Sequence, residues 1–158
     1  IEGSRPVLVE IEALVAPSTL ASPRRNVVGW DGSRLAVLTA VLEARCGVPL
    51  SGRDIFLNVA GGLKISETAA DLAVAAALIS SVCGRPAPPR SVFFGEVALS
   101  AELRQVAQAD ARLKEAAKLG FDMAVMPKPR KKLGAPSGLS IAQPSTLAEL
   151  IEIMGGVT

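Results

Sequence analysis

The sequence predicts a single α+β domain, and three observations carry that prediction. Short segments with strand periodicity alternate with segments bounded by helix-capping residues. One helical segment, Ala69 to Val82, is apolar on every side apart from Asp71 and two late serines, so it belongs at the centre with other elements around it. No internal repeat and no linker divides the 158 residues, a length suited to one hydrophobic core.

Val7 to Leu14 alternates apolar residues with Glu10 and Glu12, the pattern of a half-exposed strand. Pro17 to Asn26 reads as a loop. Asp31 or Ser33 is placed to cap a helix with the stripe Leu35, Leu38, Val41 and Leu42, which Gly47 ends. Ile55 to Val59 is a strand followed by the turn Gly61–Gly62. Thr68 to Asp71 has the form of a capping signature for the buried helix, with Asp71 favouring its positive end. Arg85 to Arg90, with three prolines, is a loop. Val92 to Leu99 and Glu102 to Val106 read as a hairpin. Asp110 is placed to cap a helix that runs to Leu119 and stops at Gly120. Met123 to Met126 and Leu139 to Ala142 are short strands separated by a Pro/Gly-containing loop, Lys128 to Gly138. Thr146 to Glu149 opens a last helix that Gly155–Gly156 ends.

Composition narrows the chemistry. The chain has no His, which removes Ser–His and Cys–His catalysis, His metal ligands and a His-based pH switch. One Trp, four Phe and no Tyr leave little for a nucleic-acid site built of stacked aromatic rings. A net charge of +2 imposes no global field, so any nucleic-acid site is a local patch. Cys46 and Cys83 each close a predicted helix and lack zinc or redox spacing. They read as reduced thiols of a cytoplasmic protein. No signal peptide or membrane-length apolar run is visible. The chain starts at Ile1 rather than Met and is read as a piece of a longer protein.

Neither a phosphate-loop pattern nor a dinucleotide fingerprint occurs, and Ala60 to Lys64 reads as a plain turn after a strand. The remaining route to a hydrolase is a Ser–Lys dyad, for which Ser66 with Lys64 or Lys114 is the candidate set; helix capping is the ordinary role for Ser66, and a place late in a helix for Lys114. The charged cluster that stands out is Lys128, Arg130, Lys131 and Lys132 around Pro129. Four cations within five loop residues suit a run of phosphates, although such runs are also common as solvated surface. Arg24 and Arg25, after Pro23, form a second and weaker candidate.

Several strings together resemble the C-terminal domain of the bacterial RadA (Sms) family of DNA-repair proteins. They are Gly3 to Ile11, Pro23-Arg24-Arg25, Asn58 to Gly62, Glu67 to Ala73 and Phe94 to Val97, and the likeness runs from about Gly3 to Met154. It implies the fold of Lon proteolytic domains, shared with domain two of a small-subunit ribosomal protein: a mixed sheet with a buried central helix. Lon peptidases carry a Gly-Pro-Ser-Ala-Gly string at the start of that helix. Matched to it, Ala69 stands at the nucleophile position, and an ungapped count back from Gly120 puts Asp110 at the position of the catalytic lysine. A methyl group cannot attack and a carboxylate cannot replace the cation. A slip of one turn would bring in Lys114 without restoring the serine.

The resemblance further implies a zinc module and an ATP-binding motor domain upstream, with no cofactor in this domain. It implies a cytoplasmic hexameric ring that drives branch migration on single-stranded or branched DNA, working beside the recombinase and away from membranes. Residues 1–158 are then one Lon-like domain contributing ring assembly and DNA contacts. A divergent Ser–Lys peptidase and a purely structural protein-interaction module are the alternatives.

Overall fold

A computed structural model describes residues 1–156; Val157 and Thr158, the end of the expected domain, lie outside the described residues. In chain order the elements are β1 (Ile11–Pro17), β2 (Arg25–Val28), α1 (Gly32–Cys46), β3 (Arg53–Val59), α2 (Asp71–Cys83), β4 (Ser91–Phe93), β5 (Glu96–Val97), β6 (Leu103–Arg104), α3 (Ala109–Lys118), β7 (Met123–Val125), β8 (Ser140–Ala142) and α4 (Leu147–Ile153). The strands form a mixed sheet β1-β3-β2, a parallel sheet β4-β7-β8 and a two-stranded antiparallel ladder β5-β6.

α1 forms where its caps direct. The Asp31 side chain accepts from the Ser33 amide, and Gly47 closes the helix in the left-handed conformation, returning its amide to Glu43 and Leu42. Its stripe of Leu35, Leu38, Val41 and Leu42 is buried. α2 runs through the middle, as its all-apolar sequence requires, with Leu72, Val74, Ala75, Leu78 and Ile79 excluded from solvent. It packs on β1, and the Ser81 hydroxyl accepts the Val15 amide at 2.8 Å, a donor on the edge of β1 away from β3. Leu147 and Leu150 of α4 join the same core; a smaller one forms under α3 from Phe94, Leu113, Ala124, Met126 and Leu139. The Thr146 side chain caps α4 by accepting from the Glu149 amide.

The structure corrects the sequence reading at several points. β1 starts at Ile11 rather than Val7, because its partner β3 ends at Val59, opposite Ile11, and turns away through Gly61 and Gly62. Val7 and Leu8 are left exposed. The segment read as a loop holding Arg25 ends in β2, a short edge strand parallel to β3 that carries no period-2 signal. The expected hairpin is divided between two sheets: β4 pairs with β7, and only β5 pairs with β6. The division falls at Gly95, whose amide donates to Ala69 O at 2.9 Å while its carbonyl accepts the Leu72 amide at 3.1 Å. The start of α2 thereby diverts the strand.

Helix starts differ too. Thr68 to Ala70 form a 3₁₀ turn, and Thr68 Oγ1 donates to Glu96 Oε2 instead of capping α2. Asp71 is the first residue of α2, fully buried and ion-paired. α3 is entered through Gln108 in the left-handed conformation, so Asp110 is an exposed first-turn residue and not the cap. The helix ends at Lys118, one residue short of the expected Leu119. No helix among the described residues is long and apolar enough to cross a membrane.

Candidate nucleic-acid interface

The basic loop joins β7 to β8 and is fixed at its base. Pro127 lies so close to Gly95 that a Cβ there would sit 2.7 Å from the proline ring. Gln105 Nε2 donates to Lys128 O at 2.9 Å, and at the far end the Leu139 amide donates to Pro136 O. Leu133 tucks against the smaller core, which leaves the cations outward. Lys128, Arg130, Lys131 and Lys132 are all exposed. Among the described residues no carboxylate pairs with any of them, whereas Arg24, Arg34, Arg90, Arg104 and Arg112 each have an acidic partner.

Arg24 and Arg25 lie apart from that loop, at the edge of the mixed sheet. Arg24 Nε and Nη2 donate to Asp54 Oδ2 at 3.2 and 2.8 Å, and the Arg24 amide donates to Asp54 Oδ1 at 2.6 Å. These bonds hold the Asp54 carboxyl down at about 2, against the desolvation of its buried side chain. Arg25 donates to the carbonyls of Arg53 and Leu50. The two arginines that read as a pair thus have separate structural partners.

Ala69, the position implied for the nucleophile, lies in a groove of about 990 Å³ between the start of the chain, α2, β4 and α3. Ala69 lies in its floor, buried, and Ser66 and Lys64 lie at its exposed rim. The α3 face that lines it is Arg112, Glu115, Ala116 and, just past the helix end, Leu119, spaced as successive turns require. Asp110 and Lys114 are exposed and outside this lining, so the ungapped count does not bring Asp110 to Ala69. The α3 cation facing the groove is Arg112, which donates to Glu67 Oε2 at 2.9 Å and lies over the Phe94 ring at 5.8 Å. Sequence reasoning missed Arg112 because charged residues alternate with apolar ones along α3, and nothing local marks which of its cations faces inward.

A second missed constellation joins α1, α2 and β5. Arg34 Nε donates to Asp71 Oδ1 at 3.0 Å, and Nη2 bridges Asp71 Oδ2 and the Val97 carbonyl. The Val97 amide returns a bond to Asp71 Oδ2 at 3.0 Å. Hydrogen bonding to Asp71 raises the Arg34 pKa despite its partial burial. The signal was present in the sequence: one acid on an otherwise all-apolar helix needs a buried partner.

No three His, Cys, Asp or Glu converge among the described residues. The Gly61–Gly62 turn leads into extended chain at Leu63 rather than into a helix N-terminus. Cys46 and Cys83 are unpaired thiols, and burial pushes the Cys46 pKa up.

Comparison with known proteins places the chain. A family model described as subunit ChlI of Mg-chelatase matches residues 31–130. DNA repair protein RadA of Brucella abortus is 55% identical over 151 residues, which cover 96% of this chain and 32% of that protein. RadA of Pseudomonas aeruginosa is 48% identical over 153 residues, covering 97% and 34%. RadA of Rickettsia prowazekii is 53% identical over 128 residues, covering 81% and 29%. The chain spans about a third of the length of these relatives. It belongs to the family described as subunit ChlI of Mg-chelatase and is homologous to a C-terminal portion of the DNA repair protein RadA.

Proposed function

We propose that this chain is a non-catalytic, Lon-like scaffold domain of a RadA-type DNA-repair protein, and that it contributes DNA contacts and ring assembly. The observation that carries the DNA contact is the loop of Lys128, Arg130, Lys131 and Lys132: four exposed cations on a fixed base, none with a carboxylate partner among the described residues. Each is available to replace a counterion on a phosphate, which makes binding salt-sensitive and largely independent of sequence. Homology to RadA over nearly the whole chain supports the setting in DNA repair. The ATP-driven branch-migration motor, the zinc module and the hexameric ring belong in this reading to the longer protein. The methyl group of Ala69 in the groove floor, with Arg112 as the cation that α3 contributes to the lining, supports the absence of a peptidase dyad.

Fluorescence anisotropy of labelled single-stranded and duplex DNA tests the reading. Titrations at two salt concentrations would compare the wild type with a variant in which Lys128, Arg130, Lys131 and Lys132 are all alanine. Binding is expected to weaken with salt. Each lost contact should reduce the slope of log K on log salt by about 0.7 to 0.9. A wild-type chain that ignores DNA at low salt while forming oligomers would overturn the DNA contact and leave a scaffold. A monomer at high concentration would remove the assembly role.

A further inference from the structure

We propose that the groove over Ala69 binds an extended, basic segment of another polypeptide, held as an added strand and left uncut. The inference rests on the non-catalytic reading above and gives that groove a ligand class.

Two sheet edges open onto the groove. The Ala60 amide donates to Glu10 O at 2.9 Å, and the Val15 amide turns the other way, to Ser81. The even-numbered residues of β1 therefore bond to β3, while Ile11 and Ala13 direct their amides and carbonyls away from it. β4 is likewise an edge strand. The Phe94 amide donates to Val125 O at 3.1 Å, so Ser91 and Phe93 point their backbone groups away from β7. Gly95, the next residue of that parity, shows where this edge leads: its amide and carbonyl bond to Ala69 and Leu72 at the start of α2. Ile11, Ala13, Ser91 and Phe93 all line the groove, and their backbone groups on that side have no partner among the described residues. Such open edges are templates for a further strand.

The floor between them suits a main chain. Ala73, Ala77 and Ser80 of α2 recur at helical spacing and are half-buried, and their small side chains let a backbone come close. The volume of about 990 Å³ matches the largest ligand sites, about 1,000 Å³.

The walls are apolar and acidic. Val7, Leu8, Leu63 and Leu119, four of the eight large apolar side chains exposed on the described surface, line this one groove. Clustering of that kind marks an interaction site. Glu67 already holds Arg112 and the Ile1 amino group. Glu2, Glu10 and Glu115 have no cationic partner among the described residues, and Lys64 is the one free cation of the lining. Charge therefore selects a basic segment. The pleat of an added strand sends alternate side chains to opposite sides, which suits a sequence that alternates apolar and basic residues.

The test uses the full chain and three fluorescein-labelled octapeptides: one of alternating Val and Lys, one of alternating Val and Glu, and the Val/Lys peptide N-methylated along its backbone. The Val/Lys peptide should bind about tenfold more tightly than either of the others, and its mass should be unchanged after incubation. Ala13→Pro removes a groove-facing donor and spares the ladder to β3. Ala73→Leu fills the floor. Each should weaken Val/Lys binding about tenfold. Glu10→Lys with Glu115→Lys should shift the preference toward the Val/Glu peptide. The variant lacking the four loop cations should bind the Val/Lys peptide as the wild type does. Equal binding of all three peptides, or wild-type affinity in Ala73→Leu folded by its thermal transition, would overturn the inference. If Ala13→Pro unfolds, Ala73→Leu and the charge reversal decide. A chain that binds DNA but no peptide would overturn this inference alone, and cleavage of the peptide would overturn the non-catalytic reading beneath it. A change in oligomer size on Ala73→Leu, with no peptide bound by the wild type, would assign the groove to a second copy instead and overturn the inference.

Discussion

Arg34 and Asp71 face each other across the packing of α1 against α2, with two guanidinium nitrogens on two carboxylate oxygens and the Val97 backbone bonded to both partners. The carboxylate has no solvent exposure and the arginine side chain retains 26%. Each partner is tolerable there only because of the other: an unpartnered buried charge costs far more than the pair contributes.

Removing one partner should therefore be severe. Asp71→Ala and Arg34→Ala are each expected to lose about 3 to 5 kcal/mol, read from urea unfolding midpoints. An Arg34→Met/Asp71→Leu double variant should lose much less than the sum of the single changes. Additive losses in that cycle would show that the two groups are not coupled.

Acid should loosen the mixed sheet through Asp54. Its folded pKa of about 2 lies below the value near 4 of an unfolded aspartate, so its stabilising contribution is complete above about pH 4 and is lost as the pH falls toward 2. Asp54→Asn removes this titration. The variant should be less stable than the wild type at neutral pH, and the gap should narrow through that window. A constant gap from pH 6 to pH 2 would contradict the assignment.

Two glycines separate backbone strain from collision. Gly29 has φ +84°, and a Cβ there would lie 2.4 Å from Leu63 O and 2.7 Å from Val59 Cβ. Gly61 has φ +75° with nothing within 4 Å. Gly61→Ala should cost about 1 kcal/mol of left-handed strain, and Gly29→Ala at least about 2 kcal/mol more, because backbone must move. Equal losses in thermal unfolding would argue against the close approach at Gly29.

Restoring the missing hydroxyl should not restore chemistry. Ala69→Ser places an alcohol in the groove floor, but the α3 side chain of the lining is Arg112, whose guanidinium offers donors and no acceptor for the hydroxyl proton. No labelling by a fluorophosphonate is expected. Labelling that required the new serine would mean that another group in the groove serves as the base.

Much of the fold was legible because local chemistry and burial agree. The Asp31 cap, the Gly47 stop, the leucine stripe of α1 and the uniform apolarity of α2 each state their own outcome. The failures fall where tertiary partners decide. Val7 and Leu8 have strand composition but no strand beside them. Thr68 has a capping spacing but a better acceptor in Glu96. The basic loop was readable as a charge run, whereas the partners of Arg24, Arg34 and Arg112 lie 30, 37 and 45 positions away in sequence. No periodicity reports a contact at that separation.

The bond from the Val15 amide to Ser81 has a consequence for how such a chain is made. The ladder of β1 pairs residues 11–17 with residues 59–53, and the donor on its other edge waits for a hydroxyl 66 positions later. On a ribosome, β1 emerges well before any of the groups that satisfy it. It spends the synthesis of β2, α1 and β3 as an unpaired, half-apolar ribbon, and most of α2 with its second edge still open, the kind of intermediate that aggregates or is held by a chaperone. Slowing translation between the codons for Val15 and Ser81 should therefore lower the yield of soluble protein more than the same delay placed after Ser81.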